Sequence, residues 1–307
     1  MLGFFLAAVL PGLYWDQSPQ TADAVKKAGV ERVYVPVGQD AAWKTAGIDA
    51  QEFDAAKFVQ LPAPGVEYRR NVAAATSMPW VDANGWRLER DGRHSYYYDV
   101  PWRKAALAAA EAYVYDVDAV VHPEARDVSA FGQMLGFLRS IGSPALPVEA
   151  NIGIIDDGSD ETGEVLNLLA RRNLLYRVIA AADVTFDLNV RIGTKEFPKE
   201  AATDPSGFAT LVRQKLTDEK RLLRIYGSDV VIGRLNGDDH RLRVHLINYG
   251  GGNVDGLRVR VRGEYRHGTL KAFAGNDATL TEYAVTDGGT EFTIPQMSVY
   301  AVVDLER

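Results

Sequence analysis

Four carboxylates stand where a chain of alternating strands and helices would bring chemistry together. Asp16 follows Leu13-Tyr14-Trp15, Glu124 follows Val121-His122-Pro123, and Asp156-Asp157 follow Ile152-Gly153-Ile154-Ile155. Two carboxylates facing each other across a scissile bond can cleave it, one held protonated and the other charged. Glu124 lies beside His122 in a tight proline turn, where an imidazole or an apolar cover would raise its pKa toward the acid role. Asp157 would then be the nucleophile or base, so Glu124 and Asp157 form the candidate catalytic pair. Asp16 and Asp156 would line the same opening and bind substrate. The plainer reading makes these groups solvated loop carboxylates, or, at 156–164, acidic caps of a helix N-terminus.

A second cluster lies in Met78–Tyr98, MPWVDANGWRLERDGRHSYYY. Sugar rings stack on aromatic faces, while amides, acids and arginine bind hydroxyls. Trp80, Asp82, Asn84, Trp86 and Arg87, beside Tyr96, Tyr97 and Tyr98, are therefore candidate saccharide-binding residues. The alternative is a loop whose aromatics pack inward.

Other chemistries are excluded by residue type. The turn at 156–164 is too acidic to cradle phosphate, and the sixth position counted from Asp156 is Glu161 where a calcium loop needs glycine. A receiver-type reading of Asp156-Asp157 fails because Phe186-Asp187 follows too early and a long β-like stretch comes after. The five histidines are scattered without an H-E-x-x-H pair, and no G-x-S-x-G is present, so neither a metal nor an esterase elbow is expected. No cofactor is expected. There is no cysteine, and the net charge of −7 argues against nucleic acid or an anionic membrane surface as partner.

The elements that must position these groups begin with a β-α-β unit. Strand Leu13–Asp16 leads to a helix from Ser18 to Ala28 and a second strand at Arg32–Val37. Helices near 40–46 and 50–58 follow, then strands at Phe58–Leu61 and Val66–Ala75, and the polar 78–98 stretch as a long loop or hairpin. Strands at Tyr96–Asp99 and Ala119–His122 alternate with helices at Arg103–Tyr115 and Asp127–Ile141. Strands beginning at Ala150 and at Val184, and a helix from Asp204 to Thr217, complete the series. This rhythm predicts a (β/α)8-barrel-like domain over 13–221, with an open doubly wound sheet as the alternative. From Leu222 the period falls to two, and Asn236-Gly237 and Asp287-Gly288-Gly289 supply hairpin turns. An antiparallel β-sandwich is predicted over 222–307. Arg258, Arg260 and Arg262 share one face of a strand there, most simply a solvated one. Residues 1–12 begin MLGFFLAAVL, which resembles the apolar part of a truncated secretory leader and is too short to span a bilayer.

A β/α domain followed by a sandwich opening with SDVVIGRLNGDDHRLRVHLINYG resembles glycoside hydrolases, most clearly over Gly227–Leu305. Leu13–Asp16 and Ala108–Val121 look like barrel units of such enzymes. Asn151–Val190 looks like the amidotransferase-like, non-catalytic domain of family-42 β-galactosidases. The resemblance implies an exported bacterial protein, secreted or periplasmic, acting on an extracellular oligo- or polysaccharide through a carboxylate pair. The alternative it leaves is a catalytically silent carbohydrate-binding or structural relative.

Overall fold

The computed structural model describes residues 10–67, 79–91, 94–141, 146–275 and 279–307. The leader expected at the N-terminus and most of the strand expected at Val66–Ala75 lie outside them. In chain order the elements open with β1 (Gly12–Tyr14), α1 (Ala22–Lys27), β2 (Arg32–Val35), α2 (Asp40–Thr45), β3 (Asp49–Glu52) and β4 (Phe58–Leu61). Next come β5 (Gly65–Glu67), β6 (Trp80–Asp82), α3 (Gly85–Arg90), β7 (Ser95–Val100), α4 (Ala105–Val114), β8 (Ala119–Pro123) and α5 (Val128–Ile141). After them are β9 (Val148–Glu149), β10 (Ile152–Ile155), α6 (Asp160–Arg171), β11 (Tyr176–Ile179), β12 (Leu188–Val190), α7 (Lys199–Ala202) and α8 (Pro205–Leu216). The chain ends in strands β13 (Leu223–Tyr226), β14 (Val231–Gly237), β15 (Arg241–Asn248), β16 (Val254–Arg262), β17 (His267–Ala272), β18 (Thr281–Thr286), β19 (Gly289–Met297) and β20 (Tyr300–Glu306).

Two compact units form. The first takes residues 10–67, 91 and 94–141, and the second takes 79–90, 146–275 and 279–307. The division therefore falls elsewhere than after residue 221. The sandwich is joined to the preceding α/β segment by β9, which pairs antiparallel with β14. Asn173 adds a second tie, its amide donating to Val231 O at 3.2 Å and its carbonyl accepting from Gly233 N at 2.7 Å.

In the first unit six strands form a parallel sheet in the order β3-β2-β1-β8-β7-β4. Registered residues of parallel strands share a face. One face carries Leu13, Val33, Val35, Tyr96, Tyr98 and Val121, all buried. The alanine-rich α4 is buried along its whole length, and its small side chains allow close packing on β7, β8 and α5. Its buried Glu111 accepts from the Tyr98 hydroxyl at 3.0 Å, and buried Asp127 accepts from Ala105 N at its first turn. Gly132 of α5 lies so close to the end of α1 that a Cβ there would sit 1.8 Å from Ala28 O.

The sheet is curled. Residues 53–57 alone join edge strand β3 to the opposite edge strand β4. Five strand spacings across a flat sheet would demand roughly 24 Å. Six fully extended residue steps reach at most roughly 21 Å, and a 3-10 turn at Ala55–Lys57 shortens the path further. The Phe53 and Phe58 rings accordingly meet at 5.0 Å. The expected eight-stranded barrel is thus corrected to six curled strands, with no hydrogen-bonded closure among the described residues. The helix expected near 50–58 is β3 and that short turn.

The second unit begins with a three-stranded parallel sheet, order β11-β10-β12. Its core joins Ile152, Ile154, Val165, Leu169, Phe197 and Phe208. The sandwich packs β13-β16-β19-β18 against β17-β20-β15-β14-β9, burying Leu235, Val244, Val259, Phe292 and Val303. No helix among the described residues is long and apolar enough to cross a membrane.

Candidate functional site

Ligands of parallel sheets sit beyond the carboxyl ends of strands, where the strand order reverses. In the first unit the chain steps outward from β1 through β2 to β3 on one side, while β8, β7 and β4 lie on the other. The reversal falls between β1 and β8. Asp16 lies two residues beyond β1, and His122 is the penultimate residue of β8. His122 Nε2 is 3.5 Å from Asp16 Oδ2, and its Nδ1 is 3.1 Å from both Asp99 Oδ1 and the Tyr97 hydroxyl. Asp99 and Tyr97 come from β7, the neighbour of β8.

The floor beneath this polar group is aromatic. Tyr14, Tyr34, Phe58 and Tyr97 project from the inner face of the curl, and Phe53 joins them from the end of β3. Tyr14 meets Phe53 at 4.4 Å, Tyr97 meets Phe53 at 4.9 Å, and Tyr14 meets the His122 ring at 4.8 Å. All six rings are half-buried rather than sealed. Burial pushes the Tyr97 hydroxyl well above its usual pKa, and the negative charge of Asp99 adds to this, so the phenol keeps its proton. A carboxylate can accept about four hydrogen bonds, and Asp99 uses one oxygen on His122. The mouth therefore offers a group of mutually tilted aromatic rings beside acceptors and a phenolic hydroxyl.

Glu124 sits on the rim, two residues past His122. Its Oε1 accepts from Trp102 N at 3.0 Å, and its Oε2 accepts from Arg126 at 2.7 Å. The Trp102 N–H first, and then Arg126, hold its carboxyl below the usual range. This is the reverse of the raised pKa expected of an acid catalyst. The guanidinium groups of Arg103 and Arg126 stack on the Trp102 ring at 4.1 and 4.4 Å.

Asp156 and Asp157 follow β10, in the second unit, whereas Glu124 follows β8 of the first unit's sheet. The expectation that Glu124 and Asp157 close adjacent strands is therefore corrected: β8 neighbours β1 and β7, whereas β10 neighbours β11 and β12. Asp156 is gripped at both oxygens by Arg90, at 2.6 and 2.8 Å. Burial alone would raise its carboxyl, but Arg90 and the Gly158 N–H outweigh that and hold it low. Asp157 Oδ1 accepts from the Ser159 hydroxyl at 2.7 Å, from Ser159 N at 3.0 Å and from the Thr162 hydroxyl at 2.8 Å. Those bonds, the Ser159 hydroxyl foremost, bring its pKa to about 2. Ser159 in turn caps α6 through Thr162 N. The acidic turn organises a helix N-terminus.

Met78 and residues 92–93 of the 78–98 stretch lie outside the described residues. Instead of a loop the stretch contributes β6 and α3. Trp80 has the Arg171 guanidinium over its ring at 4.2 Å. Asn84 is buried and its carbonyls accept from Arg87 and Leu88 at the start of α3. Trp86 packs on Gly163 of α6, with the Arg87 guanidinium 4.2 Å over its ring. Asp82 adjoins them at the end of β6. These five residues are gathered in the second unit, whereas Tyr97 belongs to the mouth of the first. Arg258 and Arg260 pair with Glu291, and Arg262 with Asp187.

Reading the sequence selected Asp16 and missed His122, Asp99, Tyr97 and Phe53 as one group. For part of the floor the signal was present as alternation. Tyr34 falls between Val33 and Val35 and Tyr14 between Leu13 and Trp15, which puts both on the face opposite the apolar one, whereas Tyr97 stands between two tyrosines and shows no such signal.

A mixed α/β and β fold is also that of glycoside hydrolases of known structure. The α-L-fucosidase isoenzyme 2 of Paenibacillus thiaminolyticus aligns with a TM-score of 0.50 at 8% identity, over 69% of this chain and 60% of its own. A rhamnosidase from Novosphingobium sp. PP1Y aligns with a TM-score of 0.44 at 10% identity, over 94% of this chain and 38% of its own. A GH42 β-galactosidase from G. stearothermophilus gives 0.41 at 9%, over 96% and 60%. The chain spans about 60% of the fucosidase's length. At such identities the likeness is one of fold. No family model matches the chain, and no curated protein matches it.

Proposed function

We propose that this protein is a glycoside-hydrolase-like protein that binds a saccharide at the mouth of the curled parallel sheet. The observation carrying the reading is the pairing of an aromatic floor with a polar rim at the strand-order reversal. The floor is Tyr14, Phe53 and Tyr97; the rim is Asp16, Asp99 and His122. Flat rings take the apolar face of a pyranose, and carboxylates accept from its hydroxyls. Titration calorimetry with oligosaccharides carrying fucosyl, galactosyl or rhamnosyl units tests it. Binding is expected for at least one, weakened tenfold or more by Asp99→Asn or His122→Gln with the fold intact. Absence of binding at millimolar sugar, or affinity unchanged in both variants, would overturn it.

Hydrolysis is the second reading. Asp16 and Asp99 stand at opposite ring nitrogens of one imidazole, and glycosidases use two carboxylates flanking the bond. Glu124 enters this reading as a rim residue beside His122. Asp157 does not enter it, because its oxygen is engaged in the α6 turn. Release of nitrophenol from aryl glycosides should then vanish in Asp16→Asn and Asp99→Asn while saccharide binding persists. No release by the unaltered protein, with binding retained, would leave the silent carbohydrate-binding reading.

A further inference from the structure

We propose that the second unit holds a separate ligand site, at the carboxyl end of β11-β10-β12, for a small molecule bearing a carboxylate or phosphate group. A cavity of about 510 Å³ opens there, within the range of small-ligand sites. All three strands deliver a residue to it. Ile155 ends β10, Ala180 directly follows β11, and Arg191 directly follows β12. The order β11-β10-β12 reverses between β10 and β12, the position at which parallel sheets receive ligands.

The walls suit a small body with one anionic end. Ala180, Ala181 and Ala182 occupy little of the space, and Phe197 gives an apolar side. The segment carrying the alanines is fixed to β12. Asn189 accepts from Asp183 N at 2.9 Å and donates to Asp183 O at 2.8 Å. The site is thereby preformed rather than assembled from a loose loop.

The charge balance is cationic. Arg191 and Lys195 line the cavity and make no ion pair among the described residues. The neighbouring acids each have a partner. Glu196 pairs with Lys215 at 3.0 Å, and Lys215 also lies over the Phe197 ring at 5.7 Å. Asp187 is paired with Arg262 and Asp156 with Arg90, while Asp183, which Thr185 hydrogen-bonds without neutralising, lies outside the cavity lining. An oxyanion entering the crevice meets two cations that pair with no acid among the described residues.

Titration calorimetry on the full chain with glucuronate, glucose 6-phosphate and glucose tests the site. At least one anionic sugar is expected to bind, with glucose at least tenfold weaker. The glucuronate and sugar-phosphate arms decide between carboxylate and phosphate. The double variant Arg191→Gln/Lys195→Gln should lose tenfold or more in affinity with an unchanged melting temperature, since both side chains are exposed. Asp99→Asn should leave this binding untouched, which separates it from the mouth of the first unit. Ligand should also slow hydrogen exchange within residues 180–197. Failure of both anionic sugars to bind, equal binding of glucose, or equal affinity in the double variant would overturn the proposal.

Discussion

At the scale of single residues, the acidic turn shows how one carboxylate can be useful without being catalytic. Asp157 is held at a pKa of about 2 against an ordinary 3.8. A folded-state pKa below the unfolded one gives stability that is complete above about pH 4 and is lost as pH falls toward 2. The group is exposed, so the contribution after screening by solvent is about 0.5–1 kcal/mol. Asp157→Ala should therefore lower stability by that amount at pH 7 and by almost nothing near pH 2, as urea melts at the two values would report. An equal loss at both pH values would show that the charge is irrelevant. Much of this turn was legible, because a run of acids at 156–164 marks a helix N-terminus, although the cap itself proved to be Ser159. What the sequence hid was that Arg90, 66 residues away, claims Asp156. Long-range pairing leaves no local trace.

At the scale of elements, residues 79–90 teach most. Their tryptophans, acids and an Asn-Gly step read as loop, yet Asn84 starts α3 and Leu88 and Trp86 turn onto the second unit's core. A helix of six residues is too short to display a period, so tertiary packing decides it. Trp86→Ala should accordingly lower stability by about 2 kcal/mol. That is less than the 3–5 kcal/mol of a fully buried tryptophan, because the ring is half-buried. Saccharide affinity should be unchanged, and melting curves beside titration calorimetry read both. Lost affinity with an unshifted melt would return Trp86 to the list of sugar contacts. The curl of the parallel sheet was equally hidden. Each strand is only three to six residues long, and curvature comes from the short 53–57 connection rather than from any strand's own sequence.

At the scale of the whole molecule, fold class was readable and the boundary was not. Alternating α and β elements and the later period of two gave a parallel α/β part and an antiparallel sandwich, both observed. Yet composition changes near residue 222, whereas compactness divides the chain before residue 146. The reason is β9, a two-residue strand that no periodicity could reveal, and the Asn173 bonds to β14. A chain ending at Thr217 would lose the partners of both and expose the 146–216 segment. It is expected to aggregate on expression, with no cooperative transition on heating. A soluble product that melts cooperatively would show that residues 146–217 do not depend on the sandwich.

The excursion of β6 and α3 into the second unit has a consequence in time. Synthesis proceeds from the N-terminus, and Arg90 emerges 66 residues before Asp156 while Glu89 emerges 145 residues before Arg234. At ordinary elongation rates those gaps last roughly 3–30 s. The first unit has all its strands and helices once residue 141 has left the ribosome. Val81, Leu88 and Trp86 must meanwhile wait as a greasy strap tethered at both ends to a finished neighbour. Nascent chains whose emerged part ends between residues 141 and 216 would thus be the ones a holding chaperone recognises, and the strap itself would be its footprint.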